Sequence, residues 1–246
     1  MPKLMDKGME SLEILGGKGA FNFSATRMDE LGATEYTLVT IALDKSGSVF
    51  SFEKELLDAL KSVIESCKKS PRAENLMIRL IEFNHKLDEV HGFKLLSNID
   101  LNDYNEPDIG GCTALYDALY SSIGATVTYA KNLTNQNFGV NGICFVITDG
   151  MDNNSKMTCS DIADYIRKVK IGESIESLFT VLIGINASEC NQYLDELHNK
   201  AMLTQFVDIG AATPQKLAKL ATFVSRSIVS QSQALGSGQP SQSLTF

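Results

Sequence analysis

Positive charge is scarce in this chain: 22 Lys and Arg stand against 30 Asp and Glu in 246 residues, a formal net charge of −8. Neutralising phosphate needs clustered cations, so this balance argues against a general nucleic-acid binder. The densest basic patch, Lys68-Lys69 with Arg72, reads as a solvated helix end. Long apolar runs are missing as well. No stretch reaches the roughly 20 residues of a membrane span, and the N-terminus has no basic region followed by an apolar core. Paired cysteines are absent too. Cys67, Cys112, Cys144, Cys159 and Cys190 are scattered, odd in number and form no C-x-x-C, which argues against a disulfide framework or a structural zinc. The expected compartment is a reducing cytoplasm, with no membrane contact, where the Asn-x-Ser/Thr matches at Asn22, Asn132, Asn153 and Asn186 carry no glycan. His85, His91 and His198 lack the i, i+4 spacing of a helical metal pair and read as surface or packing residues.

What the chain does have is a 43% apolar fraction, enough for the core of one large α/β domain. Its most informative stretch runs from Thr37 to Ser48. The nearly continuous apolar run Leu38 to Leu43 reads as a strand covered on both faces of a parallel sheet, and it ends in Asp44-Lys-Ser46-Gly-Ser48. In such sheets ligands sit at the carboxyl ends of the strands. A carboxylate and two hydroxyls are hard oxygen donors, which suit Mg2+ better than Zn2+ or Cu2+. Taken alone, this pattern is also that of a polar loop capping the next helix. Two distant segments add to it. Gly110-Gly-Cys-Thr113 places a hydroxyl on a glycine-loosened loop before a helix, and Phe145-Val-Ile-Thr148-Asp149-Gly150 ends a second buried strand in an Asp-Gly turn.

The remaining elements alternate. A helix follows Ser51, strands cover 76–83 and 86–92, a helix runs over 114–131, and a strand over 142–148. A helix opened by Ser160 or Asp161, a strand from 178, a helix over 189–199, a strand over 205–209 and a helix over 213–231 complete the series. This order predicts a doubly wound, mostly parallel sheet with helices on both faces, and the short, charged 86–92 segment suits an antiparallel edge strand. Residues 1–35 are expected to be an extension packed on the main domain, 36–231 the domain itself, and 232–246 a flexible Ser/Gln/Gly tail. Within the extension, Phe21 and Phe23 are the expected anchors. The glycine patch at Gly16, Gly17 and Gly19 lacks the strand and the Lys-Ser/Thr ending of a phosphate loop.

With D-x-S-x-S at Asp44, Ser46 and Ser48, a distant Thr113, and Asp149 in a T-D-G turn, the chain resembles the von Willebrand factor A family and its metal-ion-dependent adhesion site. The resemblance spans roughly residues 36 to 230 and implies a Rossmann-like fold. It further implies a metal held by Asp44, Ser46, Ser48, Thr113 and Asp149, the two serines directly and Thr113 and Asp149 directly or through water. The implied ion is Mg2+, with Mn2+ or Ca2+ as alternatives, completed by an Asp or Glu from a protein partner. Neighbouring positions are read separately. Asp117 is a helix-start residue or a support for a ligand, Asp152 and Asn153 are turn formers at the rim, and Lys45 is expected to point into solvent. Intracellular relatives in bacteria and their viruses are often stand-alone domains beside AAA+ ATPases or kinases, which implies an adaptor or regulatory subunit. The acidic loop 100–108 offers a route to self-association. The alternative is a Mg2+-dependent phosphotransferase or hydrolase with Asp44 as nucleophile. Against it, position 46 is Ser rather than an acid/base carboxylate, and no general base is evident, so no catalytic residue is assigned.

Overall fold

A computed structural model of the chain describes residues 2–14, 21–171 and 175–246. The glycine patch at positions 16, 17 and 19 lies outside the described residues. Eight strands form one sheet: β1 (Met9–Glu13), β2 (Asn22–Thr26), β3 (Glu35–Asp44), β4 (Leu76–Phe83), β5 (Leu87–Leu95), β6 (Gly139–Thr148), β7 (Ser177–Gly184) and β8 (Gln205–Asp208). Five helices cover it: α1 (Glu53–Lys68), α2 (Leu115–Thr134), α3 (Cys159–Ile171), α4 (Asn191–Ala201) and α5 (Pro214–Ser237). The spatial order is β1-β2-β5-β4-β3-β6-β7-β8. From β4 to β8 every pairing is parallel. This is the expected doubly wound α/β class.

β3 lies at the centre because its residues are apolar on both sides. Val39, Ile41 and Leu43 face the cluster beneath α1 and α5, while Ala42 faces the cluster beneath α2, α3 and α4. Burial of such side chains, at about 1.5–3 kcal/mol each, drives the layering. β5 pairs antiparallel to β4, as expected for 86–92, and the sheet continues outward from it. The N-terminal segment supplies two further strands: β2 runs parallel to β5 and β1 antiparallel to β2. Alternation in Phe21-Asn-Phe23-Ser carried this signal. Phe23 is 2% exposed and stacks edge-on with Phe93. A buried ion pair fixes the junction. Glu89 accepts from Arg79 Nε at 2.8 Å and from the amide and hydroxyl of Ser24 at 2.9 and 2.8 Å.

Two helix starts differ from expectation. A 3-10 turn over Gly47–Ser51 precedes α1, so Ser51 is not its cap. Thr158, rather than Ser160 or Asp161, opens α3: its hydroxyl accepts from the Asp161 amide at 3.2 Å and the Asp161 carboxylate accepts from the Thr158 amide at 3.0 Å, a reciprocal capping box. At the other end, α5 continues to Ser237 and stops where Gly238 takes φ +64°. Its last turns still bury Gln231, Ser232 and Leu235. The following segment folds back: Leu244 and Phe246 pack on the core, Phe246 sits edge-on to Phe223, and Lys219 Nζ lies 4.3 Å from the Phe246 ring centroid. The three apolar residues Leu235, Leu244 and Phe246, spread through a polar composition, account for that contact.

Candidate metal centre

The strand order reverses between β3 and β6, and the carboxyl ends of both strands open there. Asp44 is the last residue of β3 and Thr148 the last of β6. Their side chains meet: Thr148 Oγ1 donates to Asp44 Oδ2 at 2.6 Å. The other Asp44 oxygen accepts from the Ser46 amide at 2.8 Å, which folds the loop back over its own strand. Ser46 Oγ lies 3.3 Å from Ser48 Oγ, and Ser48 Oγ donates to Asp149 Oδ1 at 2.9 Å. Asp44, Ser46, Ser48 and Asp149 are therefore linked in one hydrogen-bonded series, through the Ser46 amide and the two serine hydroxyls, drawn from two loops.

Thr113 belongs to the third loop, which is bonded to the other two. Gly110 N donates to Lys45 O at 2.9 Å and Asn84 Nδ2 to Gly110 O at 2.7 Å. On the far side Thr113 N donates to Asn153 Oδ1 at 2.7 Å, and Asn153 N returns a bond to Thr113 O at 3.0 Å. Gly111 makes the loop possible: it has φ +83°, and a Cβ there would fall 2.5 Å from His85 Nδ1.

Supporting residues are now distinguishable from ligand candidates. Asp117 is buried and accepts from the amides of Lys156 at 3.0 Å and Met157 at 2.8 Å, so it anchors the 150–158 loop to α2. Asp152 accepts from Tyr116 N at 3.2 Å and caps the first turn of α2. Lys45 does not point into solvent. It is 3% exposed, and its Nζ lies 2.7 Å from Asp88 and 3.6 Å from Glu82. Alternation along the extended chain explains this: with Asp44 and Ser46 turned to one side, the residue between them must face the other. The acidic loop folds onto its own chain, where Asp103 and Glu106 line a cavity of about 150 Å³ between α1 and the sheet, with Asp44 at its wall.

Electrostatically the site is unbalanced. Burial pushes the Asp44 carboxyl up to about 6, with the nearby Asp149 charge adding to the effect and the Thr148 and Ser46 hydrogen bonds opposing it. Asp149 is also raised, again chiefly by burial. Among the described residues no ion pair reaches either carboxylate, and Lys45, the one ammonium within the Asp44–Ser48 loop, is held by Asp88 and Glu82. One buried and one half-buried carboxylate with hydroxyl dipoles around them form a donor set that a hard divalent cation fits. Among the described residues there is no cluster of three or more His, Cys, Asp or Glu suited to a metal, so hydroxyls rather than further charged groups would have to complete the donor set.

No family model matches the chain, and no curated protein does. Solved structures do. The PilB minor pilin of Streptococcus sanguinis, as a point mutant, superposes with a TM-score of 0.56 at 16% identity, covering 88% of this chain and 66% of the pilin. Proximal thread matrix protein 1 of the mussel byssus, described with a zinc-occupied MIDAS motif, gives 0.52 at 18% identity over 80% of this chain and 46% of its own. The von Willebrand factor domain of the type V pilus tip protein Mfa5 from Porphyromonas gingivalis gives 0.51 at 12% identity, covering 87% of this chain and 99% of that domain. The chain thus spans two thirds or less of the pilin and byssus proteins. Likeness at these identities defines the fold. The chain has a von Willebrand factor A-like fold, and among the described residues no helix is long and apolar enough to cross a membrane.

Proposed function

We propose that this chain is a metal-dependent protein-interaction module without catalysis of its own. The observation that carries the proposal is the pair of carboxylates without an ion-pair partner, buried Asp44 and half-buried Asp149, joined through Ser46 and Ser48 at the switch point of the sheet. Asp44, Ser46, Ser48, Thr113 and Asp149 together would make a complete metal-ion-dependent adhesion site, with Mg2+ the first choice for such oxygens and Mn2+ or Ca2+ as alternatives. A bound cation would supply residual positive charge toward an outside carboxylate. The chain's own residues do the rest. Asp44 and Asp149 bring two negative charges, the hydroxyls of Ser46, Ser48 and Thr113 bring dipoles without further charge, and the 45–47, 110–114 and 150–158 loops hold them in register. Five ligand residues with only two charges leave room for an Asp or Glu from a partner.

An enzymatic reading fares worse on geometry. Asp44 is 2% exposed and both its oxygens accept hydrogen bonds, whereas a nucleophile must reach its substrate. The five free cysteines favour a reducing, cytoplasmic location. An adaptor or regulatory role beside an AAA+ ATPase or a kinase-linked assembly fits that setting. Calorimetric titration with Mg2+ and Mn2+ tests the first step, with Asp149→Asn expected to abolish uptake. Affinity purification with Mg2+ against EDTA tests the second, and the partner should be lost with EDTA or with Asp44→Ala. Normal partner recovery under both conditions, or turnover of a generic phosphate ester that Asp44→Asn removes, refutes the proposal.

A further inference from the structure

Large apolar side chains stand exposed at few places in this protein. Among the described residues they are Met5 at 46%, Phe50 at 71% and Met151 at 51%. Two of the three belong to the metal-centre loops. Phe50 lies two residues beyond Ser48 and Met151 two beyond Asp149, and the side chains of Ser48 and Asp149 meet at 2.9 Å. The 3-10 turn over Gly47–Ser51 directs Phe50 outward while burying Val49 at 1% exposure, and Phe52 just beyond it is buried at 4%. Singly scattered exposed apolar residues need no explanation, but two on loops joined at one point make a local surface. The approach to it is open: a Cβ added at Gly47, Gly110 or Gly150 would meet nothing within 4 Å.

Charge narrows what fits this surface. Asp103, Glu106 and Glu53 line the cavity wall beside Asp44, and the chain as a whole is at −8. A segment with several acids would meet Glu53, Asp103 and Glu106 beside the cation, with Lys3 on the same wall already held by Glu82. One carboxylate directed at the metal, with apolar residues around it, meets attraction at each point. Resting on the metal-dependent reading above, we infer that the partner segment carries a single Asp or Glu with apolar side chains within two residues on both sides, seated against Phe50 and Met151. Apolar burial of this kind supplies affinity that the metal–carboxylate contact alone lacks.

The test uses two labelled peptides, identical except that the two residues on either side of a central Asp are Leu in one and Ser in the other. Binding is followed by fluorescence anisotropy in Mg2+. The Leu peptide is expected to bind at least about tenfold more tightly, about 1.4 kcal/mol. Combined Phe50→Ser and Met151→Ser should erase that preference while Mn2+ uptake, read by calorimetry, stays as in the parent protein. Replacing the central Asp by Asn should abolish binding of the Leu peptide. Equal affinity for the two peptides, a preference that survives the double variant, or binding that survives the Asn replacement overturns the inference. Absence of metal uptake by the parent protein would instead overturn the metal-dependent reading, so the two failures are distinguishable.

Discussion

Replacing Asp44 by Asn should make the metal-free protein more stable while removing its hold on divalent cations. The magnitude follows from the side chain's surroundings. Asp44 is buried to 2% exposure, and burial takes its carboxyl from 3.8 up to about 6. That interval corresponds to about 3 kcal/mol against the charged form in the folded state at pH 7. Asparagine removes the charge and keeps an oxygen for the Ser46 amide. Its NH2 would face Thr148, whose hydroxyl has a second acceptor in Gly150 O at 3.3 Å. Subtracting about 1 kcal/mol for weaker, neutral hydrogen bonds leaves a gain of about 1–2 kcal/mol. In a domain of this size that is a rise of about 2–8 °C in Tm. Thermal and urea unfolding in EDTA at pH 7 measure it. Millimolar Mg2+ should stabilise the parent protein by mass action and leave Asp44→Asn unmoved. A variant that loses more than about 1 kcal/mol in EDTA, the scale of one hydrogen bond, or that still gains from Mg2+, would refute the reasoning.

Three further outcomes are expected. In the Asp44→Asn background, which removes the opposing titration of that raised carboxyl, stability should fall as pH drops from 6.5 toward 4, because burial holds His91 down at about 4 among Tyr104, Lys94, Glu89 and Asp6, so the unfolded chain takes up a proton that the folded chain refuses. The slope from this group is at most about 1.4 kcal/mol per pH unit, and His91→Phe should flatten the profile of urea midpoints between pH 7 and 5. Lys45→Met should cost about 2–4 kcal/mol by leaving Asp88 and Glu82 without their buried cation, with Lys3, 2.7 Å from Glu82, limiting the loss. Adding Asp88→Asn should recover part of that cost in a double-mutant cycle; strict additivity would remove the ion pair from the account. Gly92→Ala would place a Cβ 1.7 Å from Ser24 O, so β2 must part from β5 at a cost of about 3 kcal/mol. Hydrogen exchange should then report opening of β1 and β2 with metal affinity unchanged, and unaltered protection there would sink the prediction.

What the sequence revealed and what it hid divide along a physical line. Asp44, Ser46, Ser48 and Asp149 were legible because each sits at a fixed offset from the end of an apolar run, and strand ends converge at the switch point of a doubly wound sheet. Thr113 was a candidate for a related reason, a hydroxyl between two glycines and a helix start, and the structure ties its backbone to Asn153 beside the Asp149 turn. The strands β3, β6 and β7 announced themselves through near-continuous apolar residues. The polar supports did not. Arg79 in β4 reads as an interruption of an apolar strand, yet it is 2% exposed because Glu89 lies 2.8 Å away on the neighbouring β5. Lys45 likewise has its partners in Glu82 and Asp88, at the end of β4 and the start of β5. Such pairs depend on which strands become neighbours, and no local period encodes that. They are nonetheless tied to the site. The backbone of Lys45 accepts from Gly110 while its side chain is gripped on the opposite side, so the D-x-S-x-S loop is held between the Thr113 loop and the β4–β5 hairpin. Two anions can stay close and uncompensated at Asp44 and Asp149 only if the cation beside them in sequence is firmly engaged elsewhere. In this chain the buried Lys45 bridge keeps an ammonium out of a place that a divalent ion would otherwise have to contest.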